Sequence, residues 1–261
     1  MNSLKSHISL ILALISILLS IFFYVTFSEI LKKYQKSIVN NYSIAIVTDS
    51  PVESLKIKEI EKIEPININS YIQKLKKNFT NIDFDSIKFP YFYSLKLKTL
   101  PSPKRLEEIE NYLSRQPFIK RVLTYRSTQT KIYNLLFLLK IVSNVFLIIV
   151  GILGFLLIIK QLEVWKFEHS ERMYIMELFG APFWFKGAAL FKIAFVDSFI
   201  SFLISAGIIY YFTNSALFNE IIKDLSINYN IGFTDILLKL FAVSLLISVL
   251  SSIIVIIGRK K

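Results

Sequence analysis

The residues able to do chemistry are few, and they exclude more than they support. The chain has no cysteine, so disulfides, thiolate metal sites and a cysteine nucleophile are excluded. His7 and His169 are its two histidines, too few for a histidine-rich metal centre. No Gly-x-x-x-x-Gly-Lys-Ser/Thr phosphate loop occurs, so the chain is not expected to hydrolyse ATP itself. Gly-x-Ser-x-Gly and His-Glu-x-x-His are absent as well, and neither an enzymatic activity nor a cofactor is expected. Glu107, Glu108 and Glu110 fall on an expected helix and read as its solvated face. Asp197 stands out because it interrupts an apolar run. An acid inside a membrane is costly and often functional, which makes Asp197 a candidate intramembrane polar site. Lys192 lies five positions earlier, a poor spacing for sharing a helix face with it.

The second chemically informative stretch is built for contact. From Glu168 to Leu178 the pattern is helical, with Ile175, Met176 and Leu178 apolar and Glu171, Arg172 and Glu177 polar. Gly180 sits where a helix ends in a left-handed residue, and Pro182 prevents continuation. Such a helix suits the inner face of a membrane or a groove on a cytosolic partner. His169 reads as an ordinary surface histidine.

The elements that must hold these residues are membrane spans. Hydrophobic residues make up 54% of the 261 and charged residues 19%. The formal charge of +12 would raise nucleic acid as a partner, but four apolar runs make a lipid membrane the better explanation and no nucleic acid is expected. Crossing a bilayer takes roughly 20 mainly apolar residues. Runs 8–27, 135–159, 188–212 and 236–257 meet that length and contain no proline. The first is too long for a cleaved signal peptide, and Thr26-Phe27-Ser28 is not a small-x-small cleavage site, so it reads as an anchor. Basic residues in short loops set the orientation. Lys5 precedes the first span, Lys160, Lys166, Arg172 and Lys186 fill the loop 160–187, and Arg259-Lys260-Lys261 end the chain. The loop 213–235 carries Lys223 against Glu220, Asp224 and Asp235. The N-tail 1–7, the loop 160–187 and the C-tail 258–261 are therefore expected in the cytoplasm. The segment 28–134 and the loop 213–235 are expected outside.

The outer segment is large enough for a small core of its own. Residues 42–48 read as a strand ended by Asp49-Ser50-Pro51. Residues 70–77 read as a short helix, and 91–98 as a strand. Ser102 and Pro103 start a helix with Leu106, Ile109 and Leu113 on one face. Pro117 stops it, and 118–125 reads as a third strand. The fold class is thus an integral membrane protein, four transmembrane α-helices with a small α+β extracytoplasmic domain between helices 1 and 2. The span 28–131 carries 19 Lys and Arg against 11 Asp and Glu, about +8, which reads as a solvated surface. Phe79, Phe84 and Phe89 are candidate contacts for an outer partner, against the alternative that they fill the domain's own core.

The stretch Ile175-Met176-Glu177-Leu178-Phe179-Gly180-Ala181 resembles the FtsX family, the membrane subunit of the FtsEX cell-division complex. That family's loop between its second and third spans carries a motif close to basic-acidic-Ile-x-Val/Ile-Met-x-Leu-x-Gly-Ala. The stretch matches its second half, while Ser170-Glu171-Arg172-Met173 departs from the order of its first. The four-span plan, the outer domain after span one and the strand-helix-strand segment agree across the chain. The resemblance implies a subunit that transmits force instead of moving a solute. It implies a homodimer, and a cytosolic FtsE-like ATPase bound through Glu168, Glu171, Arg172, Tyr174, Ile175, Met176, Leu178, Phe179, Gly180 and Ala181. It implies an outer peptidoglycan hydrolase, reached directly or through an adaptor, and a place in the bacterial cytoplasmic membrane at the division site. The four-span plan is shared by permeases of MacB-like and lipoprotein-releasing exporters, which usually carry a much larger outer domain and form the alternative.

Overall fold

The computed structural model describes residues 2–52, 55, 57–69, 73, 89–124, 126–225 and 232–258. It contains two compact units, 1–30 with 140–261, and 31–139. Among the described residues, four helices are long and apolar enough to cross a membrane. They are α1 (Asn2–Asn41), α3 (Arg126–Glu168), α6 (Ala188–Thr213) and α8 (Phe233–Ile257). The apolar runs read from sequence lie inside them. α1 continues past Phe27 to Asn41 and α3 starts at Arg126, nine residues ahead of its apolar run. At 1.5 Å per residue a 40-residue helix is about 60 Å long, twice the hydrocarbon thickness. The polar extensions, rich in Lys32, Lys33 and Lys36 on α1, leave the apolar zone as helix because nothing in them breaks one.

Between α1 and α3 the chain forms a four-stranded antiparallel sheet. Its strands are β1 (Ser43–Thr48), β2 (Ile60–Pro65), β3 (Tyr91–Leu97) and β4 (Ile119–Leu123), in the order β2-β3-β1-β4. β1 and β3 form the centre, with Ile44 opposite Leu95 and Ile46 opposite Tyr93. Alternation puts Ile44, Ile46 and Thr48 on the buried face of β1, and Tyr93, Leu95 and Leu97 on that of β3. α2 (Pro103–Ser114) covers this face with Leu106, Ile109 and Leu113, all at most 2% exposed. Ser102 caps α2, its hydroxyl accepting the Arg105 N–H at 3.3 Å, with proline in the first turn. Val39 of α1 and Ile119 of β4 complete the core.

Strand β2 was absent from the sequence reading. Ile60 and Ile63 are spaced three apart, as on a helix, and Pro65 ends a segment otherwise made of Glu and Lys. Those are the marks of an edge strand, and among the described residues β2 pairs with β3 alone. Glu64 holds it there, 2.9 Å from the Lys62 ammonium and 3.1 Å from that of Lys96 on β3. Hydrogen bonds from these lysines keep its carboxyl below the ordinary carboxylate range. The helix expected over 70–77 lies, apart from Gln73, outside the described residues.

In the other unit, α6 and α8 pack through hydroxyl-bearing small residues. Ser198, Ser201 and Ser205 on α6, and Ser244, Ser248, Ser251 and Ser252 on α8, are all buried. Small side chains at helical spacing let two backbones approach, and hydroxyls join them. Ser198 and Ser244 are hydrogen-bonded across this seam. Gly154 does the same service for α3, since a Cβ there would stand 2.5 Å from Ile17 of α1. Leu10, Leu14, Ile17, Ile158, Leu162, Leu190, Ala194 and Val255 join the four helices in one apolar core. Outside this core, the side chains of α3 between Leu135 and Leu157 are largely exposed, an apolar surface suited to lipid or to another membrane chain.

Candidate functional site

The chain between α3 and α6 folds into an elbow of two short helices, α4 (Ser170–Leu178) and α5 (Phe183–Lys186). His169 breaks the helix at the end of α3, though its N–H still reaches the Trp165 carbonyl at 3.1 Å. α4 then ends in a Schellman turn. The Ala181 N–H donates to the Met176 carbonyl at 3.0 Å and the Gly180 N–H to that of Glu177 at 2.9 Å. This turn requires a left-handed residue, and Gly180 has φ +72°. α5 follows from Pro182, whose carbonyl accepts the N–H groups of Phe185 and Lys186.

No residue of α4 is buried, yet its faces differ. Met173 and Glu177, four apart, are half-buried. Met173 packs on the bundle core, and Glu177 faces Lys186 of α5 at 3.6 Å. The opposite face presents Glu171, Tyr174, Ile175 and Leu178. Tyr174 is 62% exposed, Leu178 68% and Phe179 86%. Trp184 and Phe185 of α5 add to this surface. An apolar helix face held outward by a capped turn and an ion pair is suited to contact with another molecule.

The elbow stands on a firm foot. Trp165, one turn before the break, is 5% exposed. Its ring lies edge-on to His7 of α1, centroids 4.7 Å apart, and is stacked with His169 at 5.7 Å. The neighbouring Lys166 donates to the carbonyls of Val255 and Gly258, at 2.7 and 2.6 Å. These carbonyls lack helical partners at the end of α8, and a lysine there also suits the helix dipole. Gly187 lets α6 begin close to α8, because a Cβ at this position would collide with Ile256. The described ends of the chain and the elbow therefore lie at one end of the bundle.

Of the residues singled out from sequence, Glu171, Arg172, Tyr174, Ile175, Met176, Leu178, Phe179, Gly180 and Ala181 fall on α4 and its cap. Glu168 does not: it is the last residue of α3. Asp197 is 1% exposed, and its partner is His7, not Lys192. The His7 Nδ1 is 2.8 Å from both carboxylate oxygens. His7, Trp165, Lys166 and His169 were not read as site residues. Pairing between residues 190 positions apart leaves no trace in spacing. Phe89 is half-buried beside β3, while Phe79 and Phe84 lie outside the described residues. Among the described residues there is no cluster of metal-ligating side chains.

Residues 144–261, from the middle of α3 to the C-terminus, match the family described as FtsX-like permease C-terminal. The C-terminal region is similar to the FtsX-like permease family. This FtsX-like region contains the elbow, α6 and α8, and the motif at Ile175–Ala181 lies in the turn between two of its apolar helices. A subunit of this family is an ABC-transporter-type membrane component, so an ABC ATPase is among its partners. Together with the four apolar helices, the family makes the chain a multi-pass protein of the inner membrane. No curated protein matches the chain closely enough to serve as a relative.

Proposed function

We propose that the chain is the membrane subunit of an FtsX-like cell-division complex. It couples ATP hydrolysis by a cytosolic FtsE-like ATPase to peptidoglycan hydrolysis on the outer side. The observation that carries this reading is the outward apolar face of α4, with Tyr174, Ile175 and Leu178 exposed above a bundle that grips the elbow's foot. A rigid mount under an exposed contact surface is what force transmission needs, because displacement at the contact must move the spans instead of bending the loop.

In this reading the elbow and both chain ends face the cytoplasm, and the sheet domain lies outside, at the division site. Two copies form a homodimer and bind two ATPase subunits. When the ATPases close on nucleotide they draw the elbows together and tilt the spans. α1 passes without a break from the bundle to Asn41, and β1 begins at Ser43, so the first span is covalently continuous with the outer sheet. The hydrolase or its adaptor must prefer one of the two arrangements, since coupling is a difference in affinity between states. Phe89 and the outer segment before it are the proposed contact.

The test is substitution on the exposed face. Met176→Glu and Leu178→Glu are expected to lower co-purification of the ATPase at least tenfold while membrane insertion stays intact. Unchanged co-purification would count against the elbow as the ATPase contact.

A further inference from the structure

Asp197 is a carboxylate with 1% exposure inside an apolar helix. In such a setting a carboxylate needs a donor, and losing it leaves a buried group unpaired. His7 provides that donor from a different span, with Nδ1 2.8 Å from each carboxylate oxygen. The same imidazole lies edge-on against Trp165 of α3. The Trp165 carbonyl accepts the backbone N–H of His169 at 3.1 Å, and the His169 ring nitrogen Nδ1 is 3.1 Å from it. The His169 carbonyl accepts the Met173 N–H in the first turn of α4. Contacts therefore run without a gap from α6 through α1 and α3 into the elbow.

We propose that His7 and Asp197 are positioning residues that clamp the N-terminal span to α6, the helix that follows the elbow, while the His7 ring rests on Trp165 at the elbow's foot, so that a displacement of the elbow is carried into α1. Leucine-type contacts between α1 and its neighbours are non-directional, and helices can slide along them at small loss. A hydrogen bond between a buried carboxylate and one imidazole is directional, and sliding breaks it outright. The clamp sits at the sixth residue of α1, next to the elbow, where a small push is applied to the helix that leads into the sheet. This inference rests on the reading of α4 as the ATPase contact.

The chain lacks cysteine, so introduced labels are unique. Glu29→Cys on α1 and Leu217→Cys on α7 (Ala216–Asp224) are exposed positions in the same unit. Spin-label distances between them are measured in the full complex with its ATPase, before and after trapping with ATP. The unsubstituted clamp is expected to give an ATP-dependent shift. His7→Phe keeps a ring against Trp165 but removes the donor, and is expected to cut the shift at least twofold with the ATPase still bound. His7→Gln keeps an N–H donor and is expected to restore most of it. His7→Phe with Asp197→Leu removes the unpaired acid as well, so that the fold is kept, and is expected to behave as His7→Phe. A full shift in either Phe variant overturns the clamp. If the unsubstituted chain fails to retain the ATPase, the reading of the elbow fails instead, and the clamp falls with it.

Discussion

At the scale of single residues, burial and partnering decide what each polar group does. Tyr42 ends up against the core of the sheet domain, and its hydroxyl is buried without a hydrogen-bond partner among the described residues. Burial, helped by the nearby Glu110 carboxylate, pushes the phenol up from 10.0 to about 12. The folded form thus holds its proton more tightly than the unfolded chain does. The Tyr42 contribution to stability is complete below pH 10.0 and is lost as pH rises towards about 12. Tyr42→Phe is expected to flatten that alkaline loss, and to raise stability near neutral pH by up to about 1 kcal/mol because it removes an unsatisfied hydroxyl. Thermal unfolding of the full chain in detergent across this pH range checks both. Asp197 illustrates how far a residue can be read from sequence alone. Its cost was legible, because an acid in an apolar run announces itself. Its partner was not, because His7 reaches it through tertiary packing and gives no local signal.

At the scale of elements, close approach and turn chemistry set the limits. Gly154 admits Ile17 of α1 so closely that any Cβ must displace it. Gly154→Val is expected to destabilise the bundle by about 1–3 kcal/mol, the usual cost of overpacking. Ile17→Ala should recover part of that loss in a double-mutant cycle, since the two positions touch. Gly180 is constrained by its backbone, at φ +72° with open space where a Cβ would go. Gly180→Ala is expected to loosen the end of α4 by about 1 kcal/mol. Circular dichroism should change little, while ATPase retention weakens several-fold. Elements made of continuous apolar sequence were readable, as were α2 with its Ser102-Pro103 start and the central strands with their alternation. β2 was not, because an edge strand of Glu and Lys has no buried stripe to reveal it. The elbow was read as one helix from Glu168, whereas His169 splits it from α3. No proline or glycine marks that break.

At the scale of the whole molecule, the two compact units share one helix, α1. His7 and Val39 belong to the same α1, the first packed beside Trp165 and the second in the sheet core. An elbow mounted on a core shared by all four long helices is suited to the force transmission proposed above. In the proposed function the sheet core is part of the mechanism, since a soft sheet domain would absorb the movement. Leu106 of α2 is fully buried against the sheet, and Leu106→Ala is expected to cost about 2–5 kcal/mol of domain stability. ATPase retention should be unaffected, while activation of the outer partner is lost; limited proteolysis of the outer segment reads the first effect. The most direct measurement of the central claim is photocrosslinking in living cells from a reactive amino acid at Phe179, the most exposed large apolar side chain of the elbow. An adduct with an ATP-binding-cassette subunit, lost when Leu178 is charged, is the result expected here; adducts with lipid alone while that ATPase is present and cycling would contradict the account.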